Sequence, residues 1–151
     1  MRPIEILLVE DNPGDVRLTR EAMTESRIDN VLRVVNDGAA ALQYLERKGP
    51  YEGMPVPDLV LLDLNLPKVS GHDVLRVIKS RNDLRAIPVV ALTTSHARKD
   101  IEECYDNHVN CYITKPMSYG PFMDVVRSIE DFWLTRVELP SNDRSPWEPT
   151  V

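Results

Sequence analysis

The fold is decided by a short apolar run that ends in a carboxylate, Leu59-Val60-Leu61-Leu62-Asp63. Residues 4–9 and residues 89–92 form two further runs of the same kind. Runs this short and this continuously apolar are typical of strands buried on both faces, as in a parallel sheet. Two weaker strand candidates lie at residues 31–35 and 110–114.

Apolar residues recur at helical spacing in the stretches that follow these runs. Asn12 is expected to cap the first helix, with Pro13 as its first residue, and Asp37 is expected to cap the second. The other helices are expected at residues 71–80, at residues 97–107 and from about residue 121 onward. Strand and helix alternating in this way predict an α/β fold with helices on both faces of a parallel sheet.

The length of 151 residues suits one domain, and 42% apolar with 28% charged residues is usual for a globular chain. The net charge of −6 disfavours nucleic-acid binding, which requires a basic surface. No apolar run approaches the roughly 20 residues of a membrane span. Glu10 and Asp11 come too early for a signal peptide. We therefore expect a cytoplasmic protein that binds neither nucleic acid nor membrane.

Two stretches fall outside the alternating pattern. Residues 49–58 are rich in proline and are expected to form a stiffened loop. Residues 136–151 show neither a strand nor a helix period, which predicts a domain at residues 1–135 followed by a C-terminal extension or arm at residues 136–151. This extension is too short for an output domain, so we expect the domain to act alone.

Polar side chains stand where the predicted strands end: Glu10, Asp11, Asp63, Thr93 and Lys115. Because the carboxyl ends of parallel strands meet at one edge of a sheet, these groups are expected to share a pocket. Two carboxylates about 5 Å apart repel by roughly 3 kcal/mol at an effective dielectric constant of about 20. The cluster therefore predicts an oxygen-seeking divalent cation, for which Mg²⁺ fits.

The same groups suit phosphoryl transfer. A carboxylate can act as the nucleophile and form an aspartyl phosphate. Lys115 would neutralise the phosphoryl group, and the Thr93 hydroxyl would donate a hydrogen bond to it.

The cysteines and histidines give no comparable signal. Cys104 and Cys111 lack the close spacing of a zinc or redox motif. His72, His96 and His108 are scattered along the chain and form no ligand pattern. The sequence therefore predicts no metal site built from these residues.

Four segments resemble the receiver domains of two-component response regulators: LLVEDN at residues 7–12, LLDLNLP at 61–67, ALTT at 91–94 and YITKP at 112–116. The resemblance spans residues 4 to about 134 and implies the flavodoxin-like (βα)5 receiver fold with a five-stranded parallel sheet. It implies a phosphoacceptor signalling protein rather than an enzyme. Such a protein accepts a phosphoryl group from a sensor histidine kinase, catalyses its own phosphotransfer and dephosphorylation, and signals by changed protein contacts.

The resemblance also assigns roles to the residues of the pocket. Asp63 is expected to be the phosphoacceptor and Lys115 its cationic partner. The metal is expected to be held by Glu10, Asp11, Asp63 and the backbone carbonyl of Asn65, with Asp11 as the more direct acidic ligand.

Three further residues receive roles from the same resemblance. Thr93 is expected to be the switch hydroxyl, and Tyr112 the aromatic side chain whose orientation follows it. Pro116 is expected to follow a cis peptide bond, which an X-Pro sequence permits at a cost of about 0.5–1 kcal/mol.

A narrower resemblance links the chain to the short response regulators that partner bacterial and cyanobacterial phytochromes. It rests on residues 62–68, on the proline-bearing loop at residues 49–58 and on residues 132–140. This resemblance implies a phytochrome as the sensor kinase.

The last predicted helix has an apolar face that is wider than one sheet contact requires, comprising Phe122, Val125, Val126, Ile129, Phe132 and Trp133. This face and the arm together predict a homodimer. The alternative is a monomer whose arm folds back on its own domain.

Two other protein classes share part of this chemistry. A haloacid-dehalogenase-type phosphatase also uses an aspartate nucleophile with Mg²⁺, and it carries a second aspartate two residues after the nucleophile. In this chain Pro13 stands two residues after Asp11. A flavin-binding module of similar fold would carry a hydroxyl-rich or glycine-rich loop after the first strand. Glu10 and Asp11 stand there instead and would repel phosphate.

Overall fold

The computed structural model describes residues 2–140. Its strands are β1 (Ile4–Val9), β2 (Asn30–Val35), β3 (Leu59–Leu62), β4 (Val89–Thr93) and β5 (Cys111–Thr114). They form one five-stranded parallel sheet in the order β2-β1-β3-β4-β5. This arrangement confirms the predicted flavodoxin-like sheet.

Five α-helices connect and follow the strands: α1 (Pro13–Thr24), α2 (Gly38–Glu46), α3 (Gly71–Ser80), α4 (Arg98–Asp106) and α5 (Tyr119–Glu130). The first two have the predicted caps. The Asn12 side chain accepts from the Asp15 amide at 3.0 Å, and the Asp37 side chain accepts from the Ala40 amide at 2.7 Å. Both caps satisfy amides that the first helical turn leaves without a partner.

The central strand β3 is buried on both faces. Val60 and Leu62 pack into the hydrophobic cluster that includes residues of α2, α3 and α4. Leu59 and Leu61 pack into the cluster formed with α1 and α5. All four side chains are 0% exposed. The continuous apolar run is therefore explained by helices on both faces of the sheet.

The C-terminal part of the domain differs from the sequence prediction. Helix α5 begins at Tyr119 rather than near Pro121, because a proline in the first helical turn removes no helical hydrogen bond. Beyond Glu130 the chain continues as a π-helical segment, Asp131–Arg136. The proposed boundary between residues 135 and 136 stays a prediction, and residues 141–151 of the arm lie outside the described residues.

Two loop features can be compared with the sequence prediction. The loop at residues 49–58 contains one turn of 3₁₀ helix, Gly49–Tyr51. Among residues 2–140 no peptide bond is cis, so the cis bond predicted before Pro116 is wrong for this structure, which has the intrinsically favoured trans form. Within the same residues, no helix has both the length and the apolar character needed to cross a bilayer.

Candidate functional site

The carboxyl edge of the sheet brings together the residues that follow β1, β3 and β5. The parallel ladder extends to these positions: the Asp63 amide donates to the Val9 carbonyl at 3.0 Å, and the Lys115 amide donates to the Thr93 carbonyl at 2.7 Å. The backbone thus fixes Asp63 and Lys115 at the same edge of the sheet, after β3 and β5, as the strand pattern predicts.

The Lys115 ammonium is the centre of the site. It donates to Asp63 Oδ2 at 3.0 Å, to Asp15 Oδ2 at 3.0 Å and to Glu10 Oε1 in a short contact. Its side chain is only 4% exposed. A buried cation is therefore shared among three carboxylates, which is how a protein interior accommodates such a charge.

Sequence reasoning missed Asp15. It does not follow a strand but lies in the first turn of α1, where its amide is capped by Asn12. The signal was present in the sequence, since a helix that starts right after β1 begins at the same edge of the sheet. A carboxylate in its first turn therefore lies near the strand ends.

Burial controls the ionisation of this cluster. Desolvation raises the pKa of Glu10 to about 7, although the hydrogen bond and positive charge of Lys115 oppose the shift. Burial alone would lower the pKa of Lys115, but its hydrogen bond to Glu10 and the negative charges of Glu10 and Asp63 outweigh burial and raise it. The ammonium therefore stays protonated, and the excess negative charge lies on the carboxylates.

The acidic groups fit a hard divalent cation. Carboxylate oxygens of Glu10, Asp11 and Asp63 all lie within 4.8 Å of one another. Asp11 is exposed, whereas Glu10 is buried and already bound to Lys115. Asp63 Oδ1 accepts from the amide of Asn65 at 3.1 Å, which places the Asn65 backbone beside the acceptor. An all-oxygen donor set of this kind is what Mg²⁺ prefers.

Thr93 and Tyr112 lie beside the cluster. The Thr93 side chain is 0% exposed, and its Oγ1 has no hydrogen-bond partner among residues 2–140. A buried hydroxyl without a partner costs free energy, so it is ready to bond a group that arrives in the pocket. The Tyr112 hydroxyl instead donates to the Ser95 carbonyl at 2.8 Å.

Gly71 brings α3 close to the acceptor. A Cβ at this position would lie 2.3 Å from the Asp63 carbonyl oxygen and 2.5 Å from the Leu64 Cα. The Gly71 amide donates to the Leu64 carbonyl at 3.0 Å. The start of α3 therefore packs directly on the backbone that carries Asp63, and only glycine fits there.

The doubly covered parallel sheet, with a buried lysine among strand-end carboxylates, defines a receiver domain. The chain belongs to this family, because residues 6–127 match the family model described as "Response regulator receiver domain". Membership favours the receiver interpretation over the phosphatase and the flavin module, and it makes the chain a signalling protein of the response-regulator class.

Within the receiver family, the chain is similar to a cyanobacterial response regulator. "Response regulator Rcp1" of Synechocystis sp. is 49% identical over 92% of this chain and 95% of the relative. The crystal structure of the Mn²⁺-bound form of Rcp1 superposes with a TM-score of 0.91, covering 92% of this chain and 100% of that chain.

Two other relatives have almost the same identity to this chain. The crystal structure of the phosphorylated cyanobacterial phytochrome response regulator RcpA is 47% identical in sequence and superposes with a TM-score of 0.91. The match covers 93% of this chain and 100% of that chain. The "Probable methanogenesis regulatory protein FilR2" of Methanothrix harundinacea is 46% identical over 87% of this chain and 84% of the relative. The chain is thus a response regulator similar to the phytochrome response regulators.

Proposed function

We propose that the protein accepts a phosphoryl group on Asp63 from a phosphohistidine of a sensor kinase. The contact between the Lys115 ammonium and Asp63 Oδ2, at 3.0 Å, is the observation that carries this proposal. A lysine fixed beside the nucleophile neutralises charge on the incoming phosphoryl oxygens without reorganising, which lowers the barrier to transfer.

Phosphoryl transfer to Asp63 exchanges a phosphorus–nitrogen bond for a phosphorus–oxygen bond. A carboxylate oxygen of Asp63 forms a bond to phosphorus, and the phosphorus–nitrogen bond of the phosphohistidine breaks. The departing imidazole nitrogen keeps the electron pair and takes up a proton. Water later attacks the phosphorus, which returns the Asp63 carboxylate and releases inorganic phosphate. The protein in this way catalyses both its phosphotransfer and its dephosphorylation.

Mg²⁺ is the proposed cofactor, held by Glu10, Asp11, Asp63 and the carbonyl of Asn65. When bound, it supplies positive charge to phosphoryl oxygens in an otherwise anionic pocket. Asp11 is assigned as the more direct acidic ligand, because it is exposed while Glu10 is engaged by Lys115. The oxygen donor set and the Mn²⁺-bound form of Rcp1 both support a divalent ion here.

The proposed partner is a sensor histidine kinase, specifically a phytochrome. The similarity to RcpA supports this choice. Because FilR2, named a probable methanogenesis regulatory protein, is nearly as similar to this chain, a direct assay identifies the kinase. The test is a short phosphotransfer assay with a phytochrome kinase and with unrelated histidine kinases from the same cell. Faster transfer from an unrelated kinase would contradict the phytochrome assignment.

We further propose that the protein works in the cytoplasm as a homodimer and signals by changed protein contacts rather than by binding nucleic acid. The net charge of −6 is consistent with protein rather than nucleic-acid targets. On the C-terminal helical segment the Phe132 side chain is 54% exposed, and its ring meets Trp133 edge-on with centroids 5.5 Å apart. Trp133 is half-buried against the core, so Phe132 is the exposed aromatic side chain of this pair, and aromatic side chains are enriched at protein interfaces.

The decisive test of the proposed function is the variant Asp63→Asn. Its side chain has nearly the same volume, so the fold is expected to persist while the nucleophilic oxygen is lost. Incubation with acetyl phosphate and Mg²⁺ should add one phosphoryl group to the wild type and none to Asp63→Asn. Intact-protein mass spectrometry measures this addition as a mass increase of about 80 Da. The exposed residue Asp83 provides the matched control Asp83→Asn, which should label like the wild type. Stoichiometric labelling of Asp63→Asn would reject the assignment.

A further inference from the structure

The cleft between α3 and α4 contains a second group of reactive side chains, away from the carboxyl edge of the sheet. His72 comes from α3, and Asp100, Glu103 and Cys104 come from α4. His72 is 15% exposed and Cys104 is 0% exposed. The proposed phosphoryl transfer uses none of them.

Both ring nitrogens of His72 face specific partners. On one side, Nδ1 lies 3.7 Å from Cys104 Sγ and 2.6 Å from Glu103 Oε2. On the other side, Nε2 lies 3.0 Å from Asp100 Oδ1. Asp100 is itself held, because the Ser95 hydroxyl donates to its Oδ2 at 2.5 Å.

This pattern is the one that proteins use to prepare a histidine for metal binding. A carboxylate that accepts from one ring N–H fixes the tautomer and leaves the other nitrogen as a ligand. Here Asp100 would accept from Nε2, and Nδ1 would bind the ion once the hydrogen that it shares with Glu103 Oε2, at 2.6 Å, has left. Ring and carboxylate atoms of His72, Asp100 and Glu103 lie within 4.8 Å of one another.

The distance between the nitrogen and sulfur donors suits a tetrahedral ion. Zinc bonds of about 2.05 Å to nitrogen and about 2.3 Å to sulfur place these two ligand atoms about 3.5 Å apart. The distance between His72 Nδ1 and Cys104 Sγ is 3.7 Å, so little movement is needed. Glu103 Oε2 is too close to Nδ1 for both to bind one ion, but its side chain is 36% exposed and is free to retreat toward solvent. Arg76 Nη2 lies 3.6 Å from Oε1, the other oxygen of Glu103.

We propose that His72 Nδ1, Cys104 Sγ and Glu103 Oε2 bind a zinc-class transition-metal ion, with Asp100 orienting the imidazole and solvent completing the fourth position. Nitrogen and sulfur donors favour Zn²⁺ or Co²⁺, whereas the oxygen donors at the sheet edge favour Mg²⁺. The proposal is independent of phosphoryl transfer at Asp63.

Metal binding at this site also releases a proton. Burial, with the nearby charges of Glu103 and Asp100, raises the pKa of Cys104 to about 11, so the free thiol is protonated at neutral pH. The ion must displace this proton into solvent as the sulfur–metal bond forms, and it must also displace the hydrogen shared by His72 Nδ1 and Glu103 Oε2. The bound ion would then join α3 to α4.

The test is a Co²⁺ titration of the reduced full-length chain in millimolar Mg²⁺, followed by absorption spectroscopy. A near-ultraviolet thiolate-to-cobalt charge-transfer band is expected in the wild type. Cys104→Ser and His72→Gln are expected to lose the band. The chain supplies matched controls, Cys111→Ser and His96→Gln, which should keep it. A wild type without the band would overturn the proposal, as would a band that survives in Cys104→Ser or disappears in Cys111→Ser.

A second measurement covers the case in which Cys104→Ser does not fold. Zn²⁺ binding by isothermal titration calorimetry should show one ion per chain, and His72→Gln, which changes a partly exposed side chain, should weaken it at least tenfold. Asp100→Asn should weaken it by about 10–100-fold yet preserve the cobalt thiolate band, as expected for a positioning residue. Unchanged Zn²⁺ affinity in folded His72→Gln would overturn the proposal.

Discussion

The Tyr112 hydroxyl donates a hydrogen bond to the backbone carbonyl of Ser95 at 2.8 Å, and this bond joins β5 to the loop before α4. The same loop begins next to Thr93, whose buried hydroxyl has no partner within the described chain. A phosphoryl group on Asp63 would offer that hydroxyl an acceptor, so phosphorylation and the position of Tyr112 are physically connected.

Replacement of Thr93 by alanine should separate phosphorylation from its structural effect. A hydrogen bond to a charged group contributes about 1.5–3 kcal/mol, so its loss should lower the equilibrium constant for the switched state over the resting state about tenfold or more. Thr93→Ala should still accept phosphate, while the amide NMR shifts of Ser95 and Tyr112 on phosphorylation become clearly smaller. Shifts as large as those of the wild type would show that the hydroxyl does not couple the two events.

Removal of the exposed acidic ligand should weaken the metal site. Asp11→Ala is expected to lower Mg²⁺ affinity at least tenfold, since a metal held by few carboxylates depends on each of them. Chelation by EDTA should stop labelling of the wild type by acetyl phosphate. Mg²⁺ titration monitored by NMR measures the affinity, and the exposed Asp124→Ala on α5 serves as a control that should bind normally. Labelling that continues in EDTA would contradict the metal requirement.

The Cys104 thiol should react slowly with alkylating reagents in metal-free protein. Its pKa is raised from 9.0 to about 11, so at pH 8 its thiolate fraction is about 100-fold below that of an ordinary thiol. The rate of iodoacetamide reaction in a Cys111→Ser background should rise about tenfold per pH unit from pH 8 to 10. A rate equal to that of free cysteine at pH 8 would contradict the assigned burial and charge.

The proposed dimer should depend on the C-terminal helical segment. The full-length protein is expected to be a dimer in light scattering. The chain truncated after Leu134 and the variant Trp133→Ala are each expected to be monomers. Tyr105→Ala is a suitable control, because this aromatic side chain is 50% exposed but lies on α4. A wild type that stays monomeric at tens of micromolar, with or without phosphate, would contradict the dimer.

The strands and most of the pocket were predictable because they depend on patterns local to the chain. The run at Leu59–Leu62 is apolar at every position since both faces of β3 are covered, and its end fixes Asp63. Parallel strand ends converge, which brought Lys115 to Asp63 in the prediction and in the structure. Asp15 was not predicted, because it lies in the first turn of α1 and does not follow a strand.

Contacts between helices were not predictable in the same way. His72 and Cys104 are 32 positions apart, and their spacing matches no ligand motif. They meet because α3 and α4 pack side by side on one face of the sheet, and the rotation of each helix about its axis depends on side-chain packing across the whole face. The helical spacing of apolar residues continues through Trp133 in the sequence, but it does not indicate the change to a π-helical hydrogen-bond pattern after Glu130.

The close packing at Gly71 determines where this chain can accept changes of length. The segment from Asp63 to Gly71 is closed by the bond from the Gly71 amide to the Leu64 carbonyl at 3.0 Å, with no space for a Cβ. An inserted residue there would displace the acceptor from Lys115. The loop at residues 49–58 enters the opposite end of β3 and carries none of the acceptor geometry. A peptide tag or a fluorescent reporter therefore belongs at the exposed residues Glu52 and Gly53 of that loop, where long insertions cost little.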